Sequence, residues 1–80
     1  MKLQVLLFGI SADLAGTNSL EMALRESSTV GDFKDEFQQQ YPQLTQLNSY
    51  AIAVNENYAS DTTELKENDV VAVIPPVSGG

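Results

Sequence analysis

Apolar and polar residues alternate from the start of the chain. Leu3, Val5 and Leu7 fall on one parity and Gln4, Leu6 and Phe8 on the other, the two-residue period of a β-strand. Both parities are apolar by the end of the run, which predicts a central strand over Leu3 to Phe8. Asp13 to Asn18 then breaks the alternation with turn-forming residues. Leu20, Met22 and Leu24 resume it among Ser19, Glu21 and Arg25, so the first two strands read as a hairpin with a long connection.

The period changes after Ser27-Ser28-Thr29, whose hydroxyls can cap a helix. Val30, Phe33, Phe37 and Tyr41 recur at three- and four-residue spacing, while Lys34, Glu36, Gln38 and Gln39 fall outside that stripe. A helix is predicted from about Val30 to Pro42, with Asp32 and Asp35 in its first turn, where the helix dipole favours negative charge. An aromatic stripe at this spacing reads as core rather than as a cofactor site. Leu44 and Leu47 are expected to close a short helical turn over the core. Tyr50, Ile52 and Val54 form a third strand, Asn55-Glu56-Asn57 turns it, and Tyr58-Ala59 reads as a short edge strand. Leu65 is expected to plug the core from a loop, and Glu67-Asn68-Asp69 turns the chain into the final strand, Val70 to Ile74.

The resulting order, ββαββ with small insertions, predicts an α+β domain spanning residues 1–80. Near-continuous apolar runs at both chain ends predict two terminal strands lying parallel, side by side, in the centre of a mixed sheet and buried on both faces. One main helix crosses that sheet, which is the β-grasp arrangement. A ferredoxin-like order would need a second full helix, and Leu44 to Ser49 is too short to supply it.

Composition narrows the chemistry. The 80 residues include neither Cys nor His, which removes thiol nucleophiles, Cys/His metal sites, Ser-His-Asp triads and histidine bases. Four basic against eleven acidic side chains give a net charge of −7, which disfavours nucleic acid and is suited either to steering toward a basic partner or to solubility. No run approaches the ~20 apolar residues of a membrane span. Met1-Lys2-Leu3 opens a strand rather than a signal peptide, and the absence of cysteine fits a reducing compartment, so a cytoplasmic location away from any membrane is expected.

The candidate reactive group is the terminal carboxylate. After Val70 to Ile74 the chain continues Pro75-Pro76-Val77-Ser78-Gly79-Gly80. Prolines fix φ and hold a segment extended, and glycines pass through a channel too narrow for a Cβ. Six such residues reach roughly 20 Å at full extension. A small, polar chain end is also what an inert, frayed terminus looks like. The proline pair directly before it favours a flexible functional tail over residues 75–80.

These residues resemble the small subunit of molybdopterin synthase, the ubiquitin-like sulfur carrier of molybdenum cofactor synthesis. The likeness covers essentially the whole chain. It is carried by the PPVSGG tail and supported by Val5-Leu-Leu-Phe-Gly9, Leu14-Ala-Gly16, Thr29-Val-Gly-Asp32, Tyr41-Pro42 and Ala53-Val-Asn55. Ala12 departs from the pattern, since many relatives carry a basic residue there, and no contact is carried over from that position.

The resemblance implies a carrier that is not an enzyme as an isolated chain and binds no metal or cofactor. The Gly80 carboxylate would be adenylated by an E1-like adenylyltransferase using ATP, then converted to a thiocarboxylate by a persulfide sulfur donor. Pro75, Pro76, Val77, Ser78 and Gly79 would insert the tail into the molybdopterin synthase large subunit, in a heterotetramer, for sulfur donation to a cyclic pyranopterin precursor. Phe8, Tyr58 and Ile74 match positions of the family's hydrophobic contact with that subunit, and strand parity puts Phe8 on the sheet face away from Leu3, Val5 and Leu7. Read without the resemblance, Phe8 and Ile74 are second-face core and Tyr58 an edge aromatic. A carrier for thiamine or another thiolation pathway, a ubiquitin-like protein modifier, and an interaction domain with an inert tail are the other classes.

Overall fold

The computed structural model describes residues 1–46 and 50–75. Strands β1 (Lys2–Leu7), β2 (Ser19–Ala23), β3 (Ala51–Val54), β4 (Asn57–Ala59) and β5 (Val70–Ile74) form one sheet in the order β2-β1-β5-β3-β4. Helix α1 (Gly9–Ala15) joins β1 to β2, helix α2 (Val30–Gln40) crosses the sheet, and a 3₁₀ turn covers Pro42–Gln46. β1 and β5 are parallel neighbours at the centre, with Val5 opposite Val71 and Leu7 opposite Val73, and the other pairings are antiparallel. This is the ubiquitin-like β-grasp fold, with the strand placement expected from the two apolar runs.

Strand parity decides the core. Leu3, Val5, Leu7, Met22, Ile52, Val71 and Val73 point to one face, where Val30, Phe33 and Phe37 of α2 meet them, and Leu44 and Leu65 close the sides. Phe33 and Phe37 stack at 5.2 Å between centroids, and Phe37 meets Tyr50 edge-on at 6.5 Å. The start of α2 is a reciprocal capping box. The Asp32 amide donates to Thr29 Oγ1 (3.3 Å) and the Thr29 amide donates to the Asp32 carboxylate (2.9 Å). Asp35 sits beyond the first turn, one turn later than expected.

The loop after β4 supplies further caps. The Val30 and Gly31 amides donate to the Thr63 and Asp61 carbonyls, both at 2.9 Å. A Cβ on Gly31 would stand 3.3 Å from the Asp61 carbonyl oxygen, so glycine admits the close approach. The Leu65 amide donates to the Ser28 carbonyl (2.8 Å), which seats Leu65 as the core plug. In the β3–β4 turn Asn55 and Glu56 both take positive φ, 49° and 73°, as a two-residue hairpin turn requires.

Three expectations need correction. The β1–β2 connection is not an irregular turn but helix α1, whose Ala12, Leu14 and Ala15 pack partly buried against the core. Its stop signal was legible: Gly16 takes φ 79° and its amide donates to the Ala12 carbonyl (2.8 Å), a left-handed helix cap. β1 also ends one residue earlier than predicted, and Phe8 is the N-cap of α1. Finally, the central strands are not buried on both faces, because α2 covers one face and the other keeps Leu6, Val70, Ala72 and Ile74 partly exposed. Leu47, expected in the short turn, lies outside the described residues.

Candidate docking face and tail root

The sheet face away from α2 is built by the other parity, on which Ala53 is buried while the described residues leave Leu6, Ala72, Ile74 and Tyr58 at least partly exposed. Leu6 of β1 pairs with Ala72 of β5, Ala72 with Ala53 of β3, and Ala53 with Tyr58 of β4, so these four make one row across four strands. Three inter-strand steps make that row about 14 Å long. Ile74 and Ala51 form the next row toward the end of β5. Phe8 keeps extended angles (φ −128°, ψ 151°), so the alternation continues through it and its side chain follows Leu6 onto this face.

This half of the face carries no charged side chain on β1, β5 or β3. Lys2 and Glu21 belong to the same face at its other end, four residues back along β1 and on β2. Phe8 is 49% exposed, Tyr58 77% and Ile10 of α1 52%. Ile74 is half-buried. Phe8 and Ile74 thus share the end of the sheet from which β5 hands over to Pro75, while Tyr58 stands on the edge strand, two strands from β5. Ile10 went unnoticed in the sequence because the helix carrying it was not predicted. It adds an exposed apolar side chain two residues along the chain from Phe8.

The tail root stands beside the β1–α1 turn. Ser11, with no exposure, accepts through Oγ from the Phe8 amide (3.1 Å) and donates from Oγ to the Phe8 carbonyl. Gly9 takes φ +54°, and a Cβ built there would lie 3.4 Å from Pro75 Cγ. Pro75 is the last described residue, and Pro76, Val77, Ser78, Gly79 and Gly80 lie outside the described residues.

The rest of the described surface holds little chemistry. No group of three or more potential metal ligands occurs among the described residues, and every buried side-chain polar atom among them has a partner. A surface hollow of about 680 Å³ lies beside the β2–α2 connection, where Glu26, Asp32, Asp35 and Glu36 face Arg25. It has no residue in common with the docking face or the tail root. No helix of the described residues is long and apolar enough to cross a membrane.

The chain is similar to known proteins over its full length. The model of the ThiS family matches residues 5–80. The molybdopterin synthase sulfur carrier subunit of Arabidopsis thaliana is 33% identical, over all of this chain and 84% of the relative. SAMP1 from Haloferax volcanii superposes with a TM-score of 0.90 at 25% identity, over the full length of both chains. A chain in the protein–protein complex of subunits 1 and 2 of the molybdopterin-converting factor from Helicobacter pylori superposes with a TM-score of 0.72 at 26% identity, again over both full lengths.

Proposed function

Because the chain belongs to the ThiS family of sulfur carriers, with relatives named as the sulfur carrier subunit of molybdopterin synthase, we propose that it carries sulfur to that synthase on its own C-terminus. The observation that supports this reading best is the uncharged, apolar half of a sheet face that the described residues leave uncovered and that ends where β5 passes into the tail. An exposed apolar patch of this kind marks a protein–protein contact. Here it stands beside the segment that would enter the partner. A complex between two subunits is also the form in which the Helicobacter pylori relative occurs.

The chemistry follows from the inventory. A carboxylate is a poor electrophile until one oxygen becomes a leaving group, and the sequence contains no glycine-rich phosphate-binding loop. Activation therefore comes from outside, from an E1-like adenylyltransferase that spends ATP and leaves AMP on the Gly80 carboxylate. The terminal sulfur of a persulfide donor then attacks the acyl carbon and expels AMP to give an acyl disulfide, and a second thiol of the donor takes up that S–S bond, leaving the thiocarboxylate on Gly80 and a disulfide on the donor. Pro75 to Gly79 carry that group into the large subunit, which supplies the catalytic side chains for sulfur donation to the cyclic pyranopterin precursor. Phe8, Ile74 and Tyr58 dock the carrier while this happens. The chain itself contributes no catalytic side chain and no bound cofactor, and it works in the cytoplasm.

Mass spectrometry of the chain after incubation with the activating enzyme, ATP and a sulfur source tests the reading. The expected result is a mass gain equal to the difference between sulfur and oxygen, located on Gly80 and dependent on ATP. A chain that is never charged under these conditions is not a sulfur carrier.

A further inference from the structure

We propose that Gly9 and Pro75 form a clamp at the root of the tail, which makes Gly9 a positioning residue for sulfur transfer. The proposal rests on the carrier reading above. β1 and β5 run parallel with Leu7 opposite Val73, so the residues that follow each strand leave the sheet together at one end. There the Gly9 backbone and the Pro75 ring are near neighbours, close enough that a Cβ built on Gly9 would stand 3.4 Å from Pro75 Cγ.

Both partners are held in place. The left-handed φ of +54° at Gly9 is one that residues with a Cβ rarely adopt. On its N-terminal side, Phe8 is fixed through both backbone groups by the buried Ser11, whose own amide also donates to the Phe8 carbonyl (3.1 Å). On the other side Gly9 continues into α1. Pro75 follows directly on Ile74 of β5 and has a fixed φ and no amide to pair, so the direction in which the chain leaves β5 is set by the strand end, the ring and what stands beside it.

Direction at the root matters because the reactive carbon is remote. Five residues separate Pro75 from the carboxylate of Gly80 and span at most about 17 Å, so a swing of about 10° at the root carries the end of an extended segment about 3 Å. A misplacement of about 1 Å can cost about a hundred-fold in rate.

The test uses the full chain as a thiocarboxylate, made by sulfide cleavage of an intein thioester so that the activating enzyme is bypassed. Single-turnover sulfur transfer is followed with saturating large subunit. Gly9→Val, which disfavours left-handed φ, is expected to slow transfer about ten-fold or more with essentially unchanged affinity for the large subunit. Gly9→Asn tolerates positive φ and puts its Cβ in ordinary contact with the ring, so it is expected to retain most of the rate. Pro75→Ala should slow transfer as far as Gly9→Val, and the double variant should be no slower than the worse single one. Pro75→Ala at the wild-type rate, Gly9→Asn as slow as Gly9→Val, or losses that multiply in the double variant each overturn the clamp. If Gly9→Val does not fold, Pro75→Ala decides. A wild-type thiocarboxylate that transfers no sulfur refutes the carrier reading instead, which separates the two failures.

Discussion

Phe33 and Phe37 have no solvent exposure, and their stacked rings fill the space between α2 and the central strands. Removing either ring loses its transfer free energy and leaves a cavity that a close-packed core relaxes into only partly. Phe33→Ala and Phe37→Ala are each expected to lower stability by about 3–5 kcal/mol. Urea denaturation checks this, and a midpoint equal to wild type for either variant would mean the ring is not in the core. Both residues were legible from spacing alone, as was Val30; Leu65 was expected as a core plug from a loop, and Thr29 is the one of the Ser27-Ser28-Thr29 hydroxyls that caps the helix. Gly9 and Ser11 were not legible. Their roles depend on Pro75, far along the chain, and on burial that no local pattern reports.

Elements differ in how far their own residues account for them. α2 has a capping box, an apolar stripe and a proline stop, so local signals and tertiary packing agree. The loop of residues 60–65 is tied to α2 by two backbone hydrogen bonds and by a Lys34–Asp61 ion pair at 2.7 Å. With Asp61 67% exposed, the ion pair contributes about 0–1 kcal/mol, so the backbone caps and Leu65 hold the loop. α1 is seven residues long, too short to be stable alone, and is set by the burial of Ala12, Leu14 and Ala15 and by Ser11. For β1 and β5, the face away from α2 is uncovered, which gives Phe8 and Ile74 a different test from Phe33. Phe8→Asp or Ile74→Asp is expected to weaken large-subunit binding much more than folding. In the free domain the carboxylate reaches water, whereas at the centre of an interface it is left unpaired. Calorimetry with the large subunit, beside thermal melts, separates the two. Unchanged binding with a collapsed melting temperature would return both residues to the core.

At the scale of the molecule, the packed core and the carboxylate proposed to react lie in separate parts of the sequence. Every buried hydrophobic residue of the core described lies between Leu3 and Val73, and the carboxylate proposed to react is at residue 80. One residue added after Gly80, or Gly79→Val, should therefore leave the melting temperature as it is and abolish sulfur transfer. The extension displaces the reactive carbon by about 3.3–3.8 Å, beyond a near-attack geometry, and the β-branched side chain obstructs a channel sized for glycine. Pterin thiolation by the extended chain at the wild-type rate would leave the tail an ordinary chain end.

The sequence by itself determined the periods, the caps and the inventory. Two apolar runs at the ends, one amphipathic helix between them and no Cys or His were enough for a β-grasp sheet and a tail as the candidate reactive group. Those features are local, and each is written in a few neighbouring residues. Tertiary structure alone decided which apolar parity is covered. Leu6, Phe8, Ala72 and Ile74 read the same in sequence whether their cover comes from this chain or from another, because the hydrophobic effect is not directional. With a single long helix, one face is packed and the other is left open at the point where the tail departs. The proximity of Gly9 to Pro75 was settled in the same way, by parallel strands that bring residues 9 and 75 to one end of the sheet.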